Sequence, residues 1–176
     1  MIGSVAGFLR YFEAVHRRAM RDVGALPVAA DGWRPATGHG EGAWSINQLV
    51  GHMAGSRLYF LSAYRGEGWI SPAAPDVSSR ERWGPALAAS FEAFQAKLEA
   101  TPDAWLERKV QMIDTPGDGL SGWRVLMMMV EHDIYHRSQI DAYAGLNGWD
   151  VPHIYGRSAE RIGELQAAQR AKHGQE

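Results

Sequence analysis

Apolar residues recur every three or four positions along four long stretches of the chain, the pattern of helices that bury one face. The first stretch covers residues 2–26 and is stopped by Pro27. Its apolar face comprises Val5, Phe8, Leu9, Phe12, Val15 and Met20. Residues 27–43 are rich in Gly, Pro and Ala and predict a loop before the next helix.

A serine with a glutamine three residues later marks the start of the second helix. Ser45 and Gln48 are spaced as a capping box, in which each side chain bonds the other residue's backbone N–H. We expect this helix to run to about Tyr64, before Gly66 and Gly68. Its predicted buried residues are Ile46, Leu49, Met53 and Phe60.

The third and fourth helices show similar start signals. Ser78 and Glu81 predict a second capping box and a helix to about Ala100, whereas Ser121 precedes a helix that ends near residues 145–148. The apolar face of the fourth helix comprises Val125, Met128, Met129, Ile140 and Tyr143.

Two shorter segments complete the pattern. Residues 110–113 favour a brief extended stretch, and residues 158–172 predict a final, weakly apolar helix. Four long amphipathic helices of comparable length predict an all-α four-helix bundle with a short extra C-terminal helix. At 176 residues, the chain fits a single domain over residues 1–176.

Composition narrows the range of functions. The chain has no cysteine, which excludes disulfides, thiolate metal sites and a cysteine nucleophile. A formal net charge of −2, without a run of Lys or Arg, argues against a nucleic-acid partner. Charged residues appear early, at Arg10 and Glu13, and the longest apolar run covers only residues 125–130. We therefore expect a cytoplasmic protein with no membrane partner.

Two of the seven histidines share one face of the most apolar helix. His132 and His136 are spaced i, i+4, so their rings project one turn apart, as two ligands of one ion require. Stepping back from His132 reaches Met128 and Met129, and stepping forward from His136 reaches Ile140. The pair thus interrupts the buried stripe, where a shared cation would satisfy both rings.

His52 has the same character on the second helix, three residues after Leu49. Ligands for a central site in a bundle come from facing helices. The residues therefore predict a three-nitrogen site of His52, His132 and His136 with open positions, typical of a catalytic metal. Three ordinary histidines satisfied by core hydrogen bonds would give the same spacing.

Other interpretations of the polar residues are less consistent with the sequence. His132 to His136 reads HDxxH, one methylene short of the HExxH motif of zinc proteases, in which Asp133 would be the general base. The shorter Asp would not reach a metal-bound water, and no cleft-lining sheet is predicted. Asp133 is expected to point away from the apolar stripe, and His16, followed by two arginines, to lie on the surface.

Two motifs resemble signatures of the DinB family. Residues 44–52 (WSINQLVGH) resemble the motif that opens the second helix of that family, and residues 131–140 (EHDIYHRSQI) resemble the motif on its last bundle helix. Residues 152–156 (PHIYG) resemble the tail of several members. His52, His132 and His136 match the family's metal ligands residue by residue.

The resemblance implies an up-down-down-up bundle, often a homodimer, that holds nickel, zinc or iron. Some members transfer low-molecular-weight thiols such as bacillithiol, or use mycothiol in isomerisation. The leading hypothesis is a metal-dependent transferase that joins such a thiol to an electrophilic small molecule; a metal-dependent hydrolase and a non-catalytic metal-binding stress protein are the alternatives. Gln48 and Gln139, one turn from ligand histidines, are candidates for orienting a ligand or contacting the substrate or thiol cofactor.

Four of the seven tryptophans fall in predicted loops. They are Trp33, Trp69, Trp105 and Trp149. Because large aromatic side chains usually serve packing, we expect them to attach loops to the bundle rather than to line a pocket mouth.

Overall fold

A computed structural model describes residues 3–115, 117–153 and 155–174. Helices cover well over half of these residues, as the sequence predicts. The α-helices of this part of the chain are α1 (Val5–Ala25), α2 (Ile46–Arg65), α3 (Arg80–Glu99), α4 (Gly122–Leu146) and α5 (Ala159–Lys172). Two positions used above, Ile2 in the first helix and Ile154 in the tail motif, lie outside the described residues.

The helix starts agree with the predicted caps except in α3. The capping box of Ser45 and Gln48 is present, and Ser121 and Ser158 precede α4 and α5. The N-cap of α3 is Ser79, one residue after the predicted Ser78. Ser78 instead bonds the carboxylate of Asp76 in the preceding loop, a local alternative to capping that is common for serine.

The direction of each bundle helix follows from contacts at its ends. Arg80, at the start of α3, donates to the carbonyl of Leu26 after α1, so α1 and α3 run antiparallel. Arg65, at the end of α2, donates to Lys97 O near the end of α3, so these two are parallel. The start of α4 at Gly122 lies against Tyr64 at the end of α2. The bundle is therefore up-down-down-up, with α2 and α1 each packed between α3 and α4.

A small hairpin precedes α4. Strand β1 (Lys109–Gln111) pairs antiparallel with β2 (Gly119–Ser121), with Val110 opposite Leu120. The sequence predicts the first strand but not its partner. Gly122 follows directly, and a Cβ at this position would collide with the backbone oxygen of Trp105.

The apolar core is divided into two clusters along the bundle axis. One holds the first half of α1 and of α4, and the other holds their second halves. Between the clusters, each of the four bundle helices contributes a buried polar residue to one hydrogen-bonded group. We call these four residues the polar layer: His16 from α1, Arg57 from α2, Ser90 from α3 and Asp133 from α4.

The C-terminal helix α5 is present as predicted, but none of its described residues is buried. It therefore adds nothing to the bundle core. No helix in the described ranges has the length and apolar character needed to cross a membrane.

Candidate metal centre

Three imidazoles from two helices converge at the level of the polar layer. The Nε2 atom of His132 lies 2.8 Å from Nε2 of His52 and 3.2 Å from Nε2 of His136. His52 comes from the second turn of α2, and the other two come from the middle of α4. The antiparallel packing of α2 on α4 thus brings together the three residues selected from the sequence.

The hydrogen bonding of His136 indicates which of its nitrogens carries the proton. Its Nδ1 lies 3.2 Å from Oε1 of Gln139, while Nε2 of Gln139 donates to Glu41 O and to the hydroxyl of Tyr143. Since the amide oxygen of Gln139 can only accept, Nδ1 of His136 is the donor. The lone pair of His136 Nε2 then points at the other two rings.

The same glutamine ties the chain before α2 to α4. Gln139 bonds Glu41 O at 2.6 Å, and Tyr143 Oη donates to Gly42 O at 3.0 Å. Trp44 is thereby held against the histidines, with its ring centroid 4.9 Å from that of His52 and 6.2 Å from that of His136. Its indole covers one side of the site. Sequence reasoning assigned no role to Trp44 beyond the motif.

The geometry fits one divalent ion. Nitrogens that share an ion at about 2.0–2.1 Å lie roughly 3 Å apart. The two shorter separations here match that value, and all three ligand atoms lie within 4.8 Å of one another. The three convergent nitrogens do not carry enough N–H donors to satisfy one another by hydrogen bonds. A cation between them would satisfy all three lone pairs.

The electrostatic environment of His132 and His52 favours their neutral form. Burial, aided by the neighbouring His136 and His52, lowers the pKa of His132 to about 3. Burial and His136 also lower the pKa of His52, against a smaller opposing effect of the Glu41 carboxylate. Neutral imidazole is the form that binds metals, so His52 and His132 need no deprotonation near pH 7.

Directly behind the histidines, the polar layer is a closed network of hydrogen bonds. Arg57 makes a bidentate ion pair with Asp133, at 2.9 Å from Nε to Oδ1 and 3.1 Å from Nη2 to Oδ2. Its Nη1 donates to Leu87 O and Ser90 Oγ and lies 3.3 Å from Nδ1 of His16. Arg57 is fully buried and Asp133 is 1% exposed. The network joins all four bundle helices.

Two expectations about the polar residues are wrong. Asp133 lies on the buried face of α4, bound by Arg57, and is not available as the general base of an HDxxH site. His16 is buried rather than exposed, with its ring stacked 4.3 Å from that of Phe91. Burial and the Arg57 charge lower the pKa of His16 to about 4, with Asp133 opposing.

The two glutamines differ in their contacts. Gln139 bonds a candidate ligand, whereas the side-chain oxygen of Gln48 accepts from Ser45 N and completes the helix cap. Gln48 also borders a groove beside His52, which leaves its proposed contact with a substrate or thiol as a prediction.

The four loop tryptophans pack on the bundle. Trp69 and Trp105 lie against one core cluster, and Trp33 and Trp149 lie against the other. Trp69 Nε1 also donates to Gln111 O at 2.8 Å, which ties its loop to the hairpin.

Solved structures share this fold. A DinB-like protein from Bacillus cereus ATCC 10987 matches with a TM-score of 0.69 and 18% identity, over 87% of this chain and 99% of its own. The DinB-like protein YjoA from Bacillus subtilis has a TM-score of 0.62 at 18% identity, over 84% and 96% of the two chains. Identities this low show a common fold alone.

A third similar structure is YfiT from Bacillus subtilis, described as a probable metal-dependent hydrolase with an unusual four-helix bundle topology. Its TM-score is 0.59 at 18% identity, over 83% of this chain and 89% of its own. None of the proteins with curated functions matches this sequence. The model of the DinB family matches residues 1–170. That match takes in all four bundle helices and both histidine motifs, and the chain belongs to the DinB family.

Proposed function

We propose that the protein holds one divalent ion with His52, His132 and His136 and transfers a low-molecular-weight thiol to an electrophilic small molecule. The observation that carries the proposal is the convergence of three imidazole nitrogens. In the described part of the chain, no carboxylate joins this group, which leaves positions for outside ligands. Nickel, zinc and iron all accept imidazole ligands.

A divalent ion at this site would supply Lewis acidity, which lowers the pKa of a thiol or water bound to it. The residues around it hold the ligands in place. Gln139 fixes the orientation of His136, and Trp44 shields one side of the rings from water. A hydrogen bond to the other nitrogen of a ligand histidine determines which ring nitrogen faces the ion.

The engagement of Asp133 favours a thiol as the nucleophile. The carboxylate of Asp133, which lies between His132 and His136 in sequence, is buried with both oxygens bound by Arg57 and is not available to a substrate. A thiol has a pKa of about 8.5 and ionises readily beside a cation, so it needs no protein base. Because the chain has no cysteine, the thiol would come from a small molecule.

Metal-dependent hydrolysis is the second candidate. It is favoured by the description of YfiT, one of the three similar structures, as a probable metal-dependent hydrolase. The two candidates differ in whether the loaded protein recognises a thiol.

Thermal stability of the zinc-loaded protein with 2-mercaptoethanol, against ethylene glycol as the thiol-free control, separates them. A ligand that binds only the native state raises the melting temperature in proportion to its occupancy. We expect 2-mercaptoethanol to raise it and ethylene glycol to leave it unchanged. Conjugation of the thiol to monochlorobimane should accelerate with the loaded protein.

His136→Ala is the matched test and His173→Ala the control, because His173 lies exposed beyond α5. The first variant should lose zinc, the thiol shift and conjugation while keeping its helical circular dichroism. The second should behave as wild type. Zinc-dependent hydrolysis of 4-nitrophenyl acetate without any thiol effect would replace the transferase by the hydrolase.

A further inference from the structure

A groove of about 700 Å³ runs along α2 between Gln48 and Tyr59, with His52 in its lining. One wall is formed by α2, and the other by the segment 71–77, which connects α2 to α3. Trp44, which contacts the ring of His52, also lines it. We refer to this space as the α2 groove. It reaches the candidate metal centre from the side where His52 is partly exposed.

Two glycines let the segment 71–77 lie close to α2. A Cβ at Gly51 would stand 3.0 Å from Cγ2 of Val77, a tighter contact than side chains usually make, and one at Gly55 would stand 4.0 Å from Cγ of Pro72, an ordinary contact distance. A side chain at Gly51 would therefore require Val77 to shift. The groove therefore has a defined second wall that ends beside the metal site.

The lining of the α2 groove carries no charged side chain. Its walls are mostly apolar, from Trp44, Val77 and the proline and alanine residues of 72–75. The polar groups that border it are neutral, such as the hydroxyl of Tyr59 and the side chain of Gln48. Sites with this lining bind apolar molecules and orient them by a few hydrogen bonds.

The charges nearest to the groove disfavour anions. Asp76 interrupts the lining segment, and its carboxylate lies 3.5 Å from the exposed Arg82, which is not part of the lining. The Glu41 carboxylate acts electrostatically on His52 from the other end. Arg57 is fully buried and bound to Asp133. A carboxylate or phosphate held by the groove lining, away from an ion at the histidine site, would lose water without meeting a cation in return.

We propose that the α2 groove binds the organic part of the substrate and selects uncharged, largely apolar molecules over carboxylates and phosphates. The assignment rests on the proposed function, because the reacting group would sit at the histidine site. Aromatic molecules suit the groove best, since two aromatic residues, Trp44 and Tyr59, line it.

Two aromatic thiols of equal shape test this selectivity. Zinc-loaded protein is titrated calorimetrically with 4-methylbenzenethiol and with 4-mercaptobenzoate. The first carries a methyl group where the second carries a carboxylate. We expect the neutral thiol to bind at least tenfold more tightly. Ala74→Arg places a cation in the exposed wall of the groove and should reduce or reverse that ratio.

Gln166→Arg is the matched control, because it adds the same charge on the exposed helix α5. Its ratio should equal that of wild type. Equal or tighter binding of 4-mercaptobenzoate to wild type, no binding of either thiol, or equal ratios in the two arginine variants would overturn the groove assignment. Zinc analysis of each sample separates the two proposals. Wild type without zinc would overturn both, whereas zinc-loaded wild type without charge preference would overturn the groove assignment alone.

Discussion

The histidine site and the polar layer share helices α2 and α4, yet they differ in how their polar atoms are satisfied. In the polar layer, the charge of Arg57 is neutralised by Asp133, and the remaining donors of the guanidinium have acceptors on α1 and α3. In the histidine site, His52, His132 and His136 turn three nitrogens toward a common point. One cluster is complete within the protein, whereas the other could hold a cation from outside.

Because of this difference, we expect the polar layer to contribute mainly to folding stability and the histidine site mainly to metal binding. A buried ion pair is costly to break because the charge that remains is neither paired nor hydrated. Neutral imidazoles leave no such charge, so removing one should reduce metal binding more than it reduces folding. The polar layer therefore holds the register of α2 against α4, and the histidine site depends on that register for its convergence.

Breaking the ion pair should give the largest effect on folding. Asp133→Ala leaves Arg57 buried and unpaired, which we expect to lower the free energy of unfolding by about 3–5 kcal/mol. Glu131→Ala is the control, because Glu131 pairs with Arg124 at the surface and should cost less than about 1 kcal/mol. Urea denaturation measures both values.

Replacing both partners of the pair sharpens the comparison. Arg57→Met combined with Asp133→Leu should recover most of the lost stability, because no unpaired charge remains. Equal losses for Asp133→Ala and Glu131→Ala would show that the polar layer does not hold the bundle together.

The pH dependence of folding distinguishes His16 from a surface histidine. Its pKa is about 4 in the folded protein, below the unfolded value of 6.5, so only the unfolded state gains a proton between these values. Stability should therefore fall as pH drops from 6.5 to 4, by up to about 1.4 kcal/mol per pH unit from this group. In the metal-free protein, His16→Asn should make the slope of unfolding free energy against pH shallower. Equal slopes in wild type and variant would show that His16 is exposed to solvent in the folded protein, which would contradict this prediction.

A smaller effect is expected at the contact that orients His136. Gln139→Leu removes the acceptor for His136 Nδ1 and should weaken zinc binding about 10–100-fold, with little change in helicity. Gln139→Glu keeps the acceptor for His136 but loses the donor to Glu41 O, so its zinc affinity should lie between those of wild type and Gln139→Leu. Competition with a chromophoric chelator measures both affinities. Unchanged affinity in Gln139→Leu would show that the contact does not support the ligand.

Helical periodicity is enough to predict the bundle and one part of the site. His132 and His136 interrupt an apolar stripe at i, i+4, and that relation exists within one helix. His52 follows from its own apolar face and from the family motif around it. The burial of His16 could also have been predicted, because this residue lies four positions after Phe12 and three before Ala19, both buried in the same helix.

The rest depends on contacts between helices. Arg57 and Asp133 are 76 positions apart, and their pairing requires the register of α2 against α4, which no local pattern contains. The role of Trp44 likewise depends on how Gln139 and Tyr143 hold residues 41 and 42. The start of α3 at Ser79 instead of Ser78 was decided by the bond from Ser78 to Asp76, a choice between two adjacent serines.

Metal stoichiometry tests the central claim most directly. Protein saturated with zinc, freed of excess metal by gel filtration and analysed by inductively coupled plasma mass spectrometry should carry one ion per chain. Each of His52→Ala, His132→Ala and His136→Ala should retain far less than one ion while keeping its helical content, whereas His173→Ala should retain one. One ion per chain in all three single variants would contradict the account, because the zinc would then be held by other residues.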